Sequence, residues 1–164
     1  MLGHHELIRE SVLDAVKGLT KEQLHYKPKH GGWSIIEITE HMYLMEINIV
    51  GIMMHVMQSG EEIEDTNAQI GRTVDRSYKI EAPDQMAPKG EWESYDDIAS
   101  HFFASRGALQ QFLETVDQNL LSKRGFPHPV FGLMSLRQWV EFISYHEERH
   151  LNQLDEVLDE LGVE

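Results

Sequence analysis

An all-α fold, a four-helix bundle running up-down-down-up, is what this 164-residue sequence predicts. Three observations carry the expectation. Apolar residues recur at three- and four-residue spacing over four long stretches. A serine with helix-capping character stands at the head of each of the last three. One connection, residues 59–93, is far longer than a tight turn requires and is rich in Asp, Glu, Gly and Pro.

The first helix is expected over residues 4–18, with Ile8, Val12, Ala15 and Leu19 inward. Thr20-Lys21-Glu22-Gln23 reads as a short capped turn. The second helix is expected over 35–58. Ser34 and Glu37 form its capping box, and Ile38, Met45, Ile49, Ile52 and Val56 face inward. The third, over 95–116, follows the looser box Ser94/Asp97 and buries Ile98, Phe102, Ser105, Leu109, Phe112 and Val116. The fourth, over 136–161, follows Ser135/Gln138 and buries Val140, Ile143, Leu154, Val157 and Leu161. No segment reads as a strand, and Pro129-Val130-Phe131 reads as loop. The KPKHGG link, of moderate length, is expected to make the first two helices antiparallel neighbours. The 59–93 crossover can travel the bundle length and start the third helix at the same end as the second. The whole of 1–164 is expected to be one domain.

Composition narrows the function. Apolar residues are 41 % and charged residues 26 %, as in ordinary globular domains. A formal net charge of −14 disfavours sequence-independent nucleic-acid binding and docking on anionic lipid. No apolar run is long enough to span a bilayer and no leader-like segment opens the chain, so the expected location is the cytoplasm. There is no cysteine, hence no disulfide and no protein thiolate. A transition metal would have to be held by His, Asp or Glu, and the chain has 10 histidines.

Three of them fall on apolar stripes. His41 lies between Ile38 and Met45, and His146 and His150 lie between Ile143 and Leu154. A spacing of four places two side chains on one helix face, about 6 Å apart along the axis. If the second and fourth helices are antiparallel, His41 comes level with the pair. Three imidazoles could then hold one divalent ion with a coordination position open. Spacing alone leaves a second reading, in which these are core histidines hydrogen-bonded to carbonyls or carboxylates. His30 and His101 are weaker candidates for moving protons. His55 is too far along the axis to share the ion, His4 and His5 lie at the other end, and His25 and His128 read as solvated. Gln153 and Glu37 are candidates to fix a ligand's second ring nitrogen.

The stretches GGWSIIEITEHMYLMEI, MAPKGEWESYDDIASHFFASRGALQQFL and HPVFGLMSLRQWVEFISYHEERHLNQL resemble, in order, the signature segments of the DinB superfamily. The resemblance spans nearly the whole chain. It implies a DinB/YfiT-like four-helix bundle, often a homodimer, with His41, His146 and His150 as ligands of a divalent ion such as zinc or nickel. Relatives of that kind include thiol-dependent S-transferases and isomerases that use a low-molecular-weight thiol, and metal-dependent hydrolases. The implied function is a metal-dependent enzyme acting on a small molecule. The expected helix N-termini at the metal end favour an anionic substrate or a thiol conjugate. The alternative is a non-catalytic, metal-binding, dimerising, stress-related bundle.

Overall fold

A computed structural model describes residues 1–77 and 79–163. The four long helices are α1 (Gly3–Val16), α3 (Ile35–Ser59), α4 (Tyr95–Thr115) and α5 (Leu136–Leu161), and α2 (Lys21–His25) is a single capped turn. The caps explain the boundaries. Ser34 Oγ accepts the Glu37 N–H and Glu37 returns the bond to the Ser34 N–H, so α3 begins at Ile35. Thr20 and Gln23 make the same reciprocal pair at α2. At α4 the Asp97 carboxylate accepts the N–H groups of Glu93 and Ser94. Ser135 Oγ accepts the Gln138 N–H, but the Gln138 side chain does not return to the cap. It instead accepts from Thr66 and Ala68 and donates to the Ala68 carbonyl, tying the crossover to α5.

Side-chain partners fix the up-down-down-up topology. His5 reaches Val140 and Arg9 reaches Glu147, so α1 runs parallel to α5. Tyr43 lies against His101 and Glu46 meets Ser105 and Arg106, so α3 and α4 run parallel and start together. His41 meets His146 on the antiparallel α5. Thus α1 packs on α5, α5 on α3, and α3 on α4. The expectation that the first two long helices lie side by side needs correction. They are antiparallel, but Arg9 and Glu46 link them across the bundle interior.

The absence of strands also needs correction. Gly125–His128 and Gly132–Ser135 form a two-stranded antiparallel hairpin, with Phe126 opposite Met134. Residues 129–131 are its loop, as expected. Strands of four residues containing Pro127 and Gly125 are too short to show alternation. Gly125 is required there, since a Cβ would lie 2.3 Å from the Met134 carbonyl oxygen. The segment before the hairpin finishes α5: the Leu136 and Arg137 N–H groups donate to the Arg124 and Leu121 carbonyls, satisfying two orphan donors.

The apolar core is in two parts. One, at the hairpin end, includes Ile49, Met53, Leu109, Phe112, Leu136, Trp139 and Ile143. The other includes Val12, Val16, Ile35, Ile38, Met42, Ile98, Phe102, Leu154 and Val157. Ile52, expected inward, is 41 % exposed, and Val50 and Met53 take the buried positions instead. Between the two parts lies a polar waist to which every long helix contributes a charge: Arg9, Glu46, Arg106 and Glu147, all buried. Arg9 donates to Glu46 at 3.0 Å and pairs with Glu147. Arg106 donates to Glu46 at 2.9 Å and to Glu147 at 3.1 Å. Ser105 Oγ, the Phe102 carbonyl and Glu6, which accepts from Arg106 at 3.0 Å, complete the network, and the Arg9 guanidinium sits 4.1 Å over the Phe102 ring. Burial pushes the Glu46 carboxyl up, but Arg9 and Arg106 outweigh it and hold it below the ordinary range. No described helix is long and apolar enough to cross a membrane.

Candidate metal centre

His41, His146 and His150 come together on the α3–α5 side of this waist. The start of α3 at Ser34 and that of α5 at Ser135 set their heights, and the antiparallel packing faces them. The Nε2 atom of His146 lies 3.1 Å from Nε2 of His41 and 3.1 Å from Nε2 of His150. One ligand atom from each residue lies within 4.8 Å of the others. Two nitrogens bound to one tetrahedral zinc at about 2.0–2.1 Å would be separated by about 3.3 Å, so the spacing fits one small cation.

The outer ring nitrogens decide which tautomers are present. Nδ1 of His41 donates to the Met86 carbonyl at 2.8 Å. Nδ1 of His150 donates to Gln153 Oε1 at 2.8 Å. Both neutral rings therefore present an Nε2 lone pair toward His146. A single proton on His146 Nε2 cannot be shared well between two acceptors, whereas a cation satisfies all three nitrogens. Burial lowers the pKa of His41, takes His146 well below its ordinary value and brings His150 down to about 3. The neighbouring imidazoles add to the shift at His146 and His150. The cluster stays neutral at physiological pH, the state a metal ligand needs.

The Trp33 ring lies 4.7 Å from that of His41 and 6.1 Å from that of His150, and Phe142 lies 5.7 Å from His146. The crossover reaches both flanks. Arg149 on α5 donates to the carbonyls of Thr73 and Asp75, and Met86 binds His41 on α3. Each imidazole keeps only 4–7 % exposure.

The other candidates separate. Gln153 supports His150 as expected, while Glu37 is used by its cap and by Lys27. His30 is exposed in the turn after Pro28. His101 donates to the Asp97 carbonyl and stacks on Trp92 at 4.4 Å, which makes it packing for the end of the crossover. His25 and His128 are not solvated loop residues. His25 lies 2.9 Å from the carbonyls of both Lys21 and Trp92. His128 sits among Phe131, Trp139 and Phe142, accepts the Val130 and Phe131 N–H groups, and is brought down to about 4 by burial. The Met86 carbonyl was not foreseeable, because a backbone group in a crossover leaves no sequence signal. The helix N-termini at this end are already served: Ser34 and Glu37 cap α3, and Asp97 caps α4.

Fold and cluster together define a four-helix bundle with a candidate three-histidine metal centre. The chain belongs to the DinB superfamily, whose model matches residues 4–154. It is 28 % identical to the uncharacterized protein YuaE of Bacillus subtilis (strain 168), over 89 % of this chain and 90 % of that protein. Its fold is similar to that of YfiT from Bacillus subtilis, with a TM-score of 0.70 and 18 % identity over 99 % of this chain and 86 % of the other. YfiT is described as a probable metal-dependent hydrolase with an unusual four-helix bundle topology. It is also similar to TT2238, a four-helix bundle protein, with a TM-score of 0.61 and 20 % identity over 94 % of this chain and 95 % of that one.

Proposed function

We propose that this protein is a divalent-metal-dependent enzyme that activates a small nucleophile, as a hydrolase or as a thiol S-transferase. His41, His146 and His150 are its metal ligands. The observation that carries the reading is the convergence of three Nε2 atoms, two of them bearing lone pairs fixed by hydrogen bonds on the far side of the ring. A divalent ion held by three imidazoles supplies Lewis acidity and lets an oxygen or sulfur nucleophile ionise near neutral pH. The chain has no cysteine, so a transferase would need its thiol from a small molecule.

The protein's own residues shape what can react. Met86 and Gln153 hold two rings in place, and Trp33 walls the centre. The narrow exposure of the imidazoles fits a small substrate. YfiT's description supports hydrolysis as the first chemistry to test. The test is turnover by zinc-, nickel- and cobalt-loaded protein on ester, amide and phosphoester substrates, then on an electrophile with a low-molecular-weight thiol. Turnover by the wild type that falls to background in His146→Ala supports the proposal. Stoichiometric metal without turnover of any substrate class would place the chain with the non-catalytic metal-binding bundles.

A further inference from the structure

Glu40 is the residue before His41 and is 96 % hidden from solvent, with 4 % relative exposure. Its carboxylate accepts three consecutive backbone N–H groups: Gly90 at 2.6 Å, Glu91 at 2.7 Å and Trp92 at 3.0 Å. Gly90, at φ +73°, takes the left-handed conformation that turns successive N–H groups toward one anion. Charge-assisted bonds of this kind are about twice as strong as neutral ones. Four residues earlier in the same segment, the Met86 carbonyl accepts Nδ1–H of His41. The crossover is thus fastened to α3 at two points, through adjacent residues of one helix turn. Trp92 adds to the fastening by stacking on His101 and on Tyr43.

We infer that Glu40 is a positioning residue for the three-histidine centre: by binding the 90–92 backbone it holds the Met86 carbonyl against His41 and so fixes the tautomer that presents Nε2. The inference rests on the metal reading above only for its effect on affinity. Its effect on His41 belongs to the metal-free protein as well.

The experiment compares wild type with Glu40→Gln, and with Glu40→Asp as a milder change that keeps the charge and shortens the reach. Three quantities are read: the His41 tautomer by nitrogen-15 NMR without metal, amide hydrogen exchange at Gly90–Trp92, and zinc affinity by chelator competition. Glu40→Gln should speed exchange at 90–92 by tenfold or more, give a mixed His41 tautomer, and weaken zinc about tenfold, within the 10–100-fold range of outer-shell losses. Glu40→Asp should fall between. Variants that melt earlier but keep the wild-type tautomer and a zinc Kd within twofold would overturn the inference, leaving Glu40 as a loop anchor. Should Glu40→Gln not fold, the tautomer and exchange in Glu40→Asp decide on the same terms. A wild type that binds no zinc, while Glu40→Gln still disturbs the tautomer and the exchange, would remove the metal reading and keep the positioning role.

Discussion

The polar waist of this bundle holds two groups built on opposite principles. The tetrad Arg9, Glu46, Arg106 and Glu147 is a closed set: two cations and two anions, one from each long helix, each meeting its opposites. The cluster His41, His146 and His150 is an open set: three neutral rings whose inner nitrogens face one another. The closed set completes itself within the chain and locks four helices in register. On the reading proposed above, the open set is completed by a metal ion rather than by another group of the chain. Buried groups that satisfy one another point to structure, and buried groups that share one unmet need point to a ligand.

The difference should appear first in stability. Removing one member of a buried ion network leaves the others unpaired and costs about 3–5 kcal/mol. Arg106→Met should lose that much in urea unfolding, a large share of the roughly 5–15 kcal/mol available to a domain. A loss below about 1 kcal/mol would break the contrast, since the tetrad would then be no lock.

The pH dependence comes next, and its sign follows from the lowered histidine pKa values. Each cluster histidine takes up a proton in the unfolded chain near pH 6.5 but resists it when folded, His150 down to about 3. The unfolded state binds more protons in that window, so stability rises with pH and is lost as pH falls below about 6.5. The slope is about 1.4 kcal/mol per pH unit for each fully titrating histidine. His146→Ala/His150→Ala should flatten the metal-free profile between pH 6.5 and 4, read by urea unfolding at each pH. An unchanged slope would assign the acid sensitivity to other groups.

How much of this was legible in the sequence divides along the same line. The three histidines are legible because each falls on an apolar stripe and two of them share one helix face. Those are properties of single helices. The tetrad was missed because Arg9, Glu46, Arg106 and Glu147 mean nothing until four helices bring them level. Ser105 was placed on the stripe of α4, yet as one more inward position rather than as a partner of Glu46. Ser34 and Ser135 mark two helix starts through their hydroxyls and Asp97 marks the third, and the long crossover predicts the topology. The hairpin was lost because Gly125 and Pro127 argue against strands, and its pairing is set by the approach of the Met134 carbonyl, which is tertiary.

Metal should sharpen the contrast. Zinc at 100 times its Kd should stabilise the wild type by about 2.7 kcal/mol, measured by thermal unfolding with and without a chelator. It should leave His146→Ala/His150→Ala unmoved, and stabilise a folded tetrad variant as it does the wild type. Equal stabilisation of wild type and double variant would place the ion elsewhere. The smallest effect is expected at Gln153→Ala, where the acceptor of His150 Nδ1 is lost and zinc affinity should fall about tenfold. Competition titration reads it, and an unchanged Kd would make that hydrogen bond incidental.

The central claim is that the open set holds a metal ion, and metal content per chain tests it most directly. The wild type and His146→Ala/His150→Ala, purified without a metal-affinity column, are compared by inductively coupled plasma mass spectrometry. About one equivalent of a divalent metal in the wild type and almost none in the variant is the predicted result. Equal trace amounts in both would contradict it, and would make these three histidines part of the core.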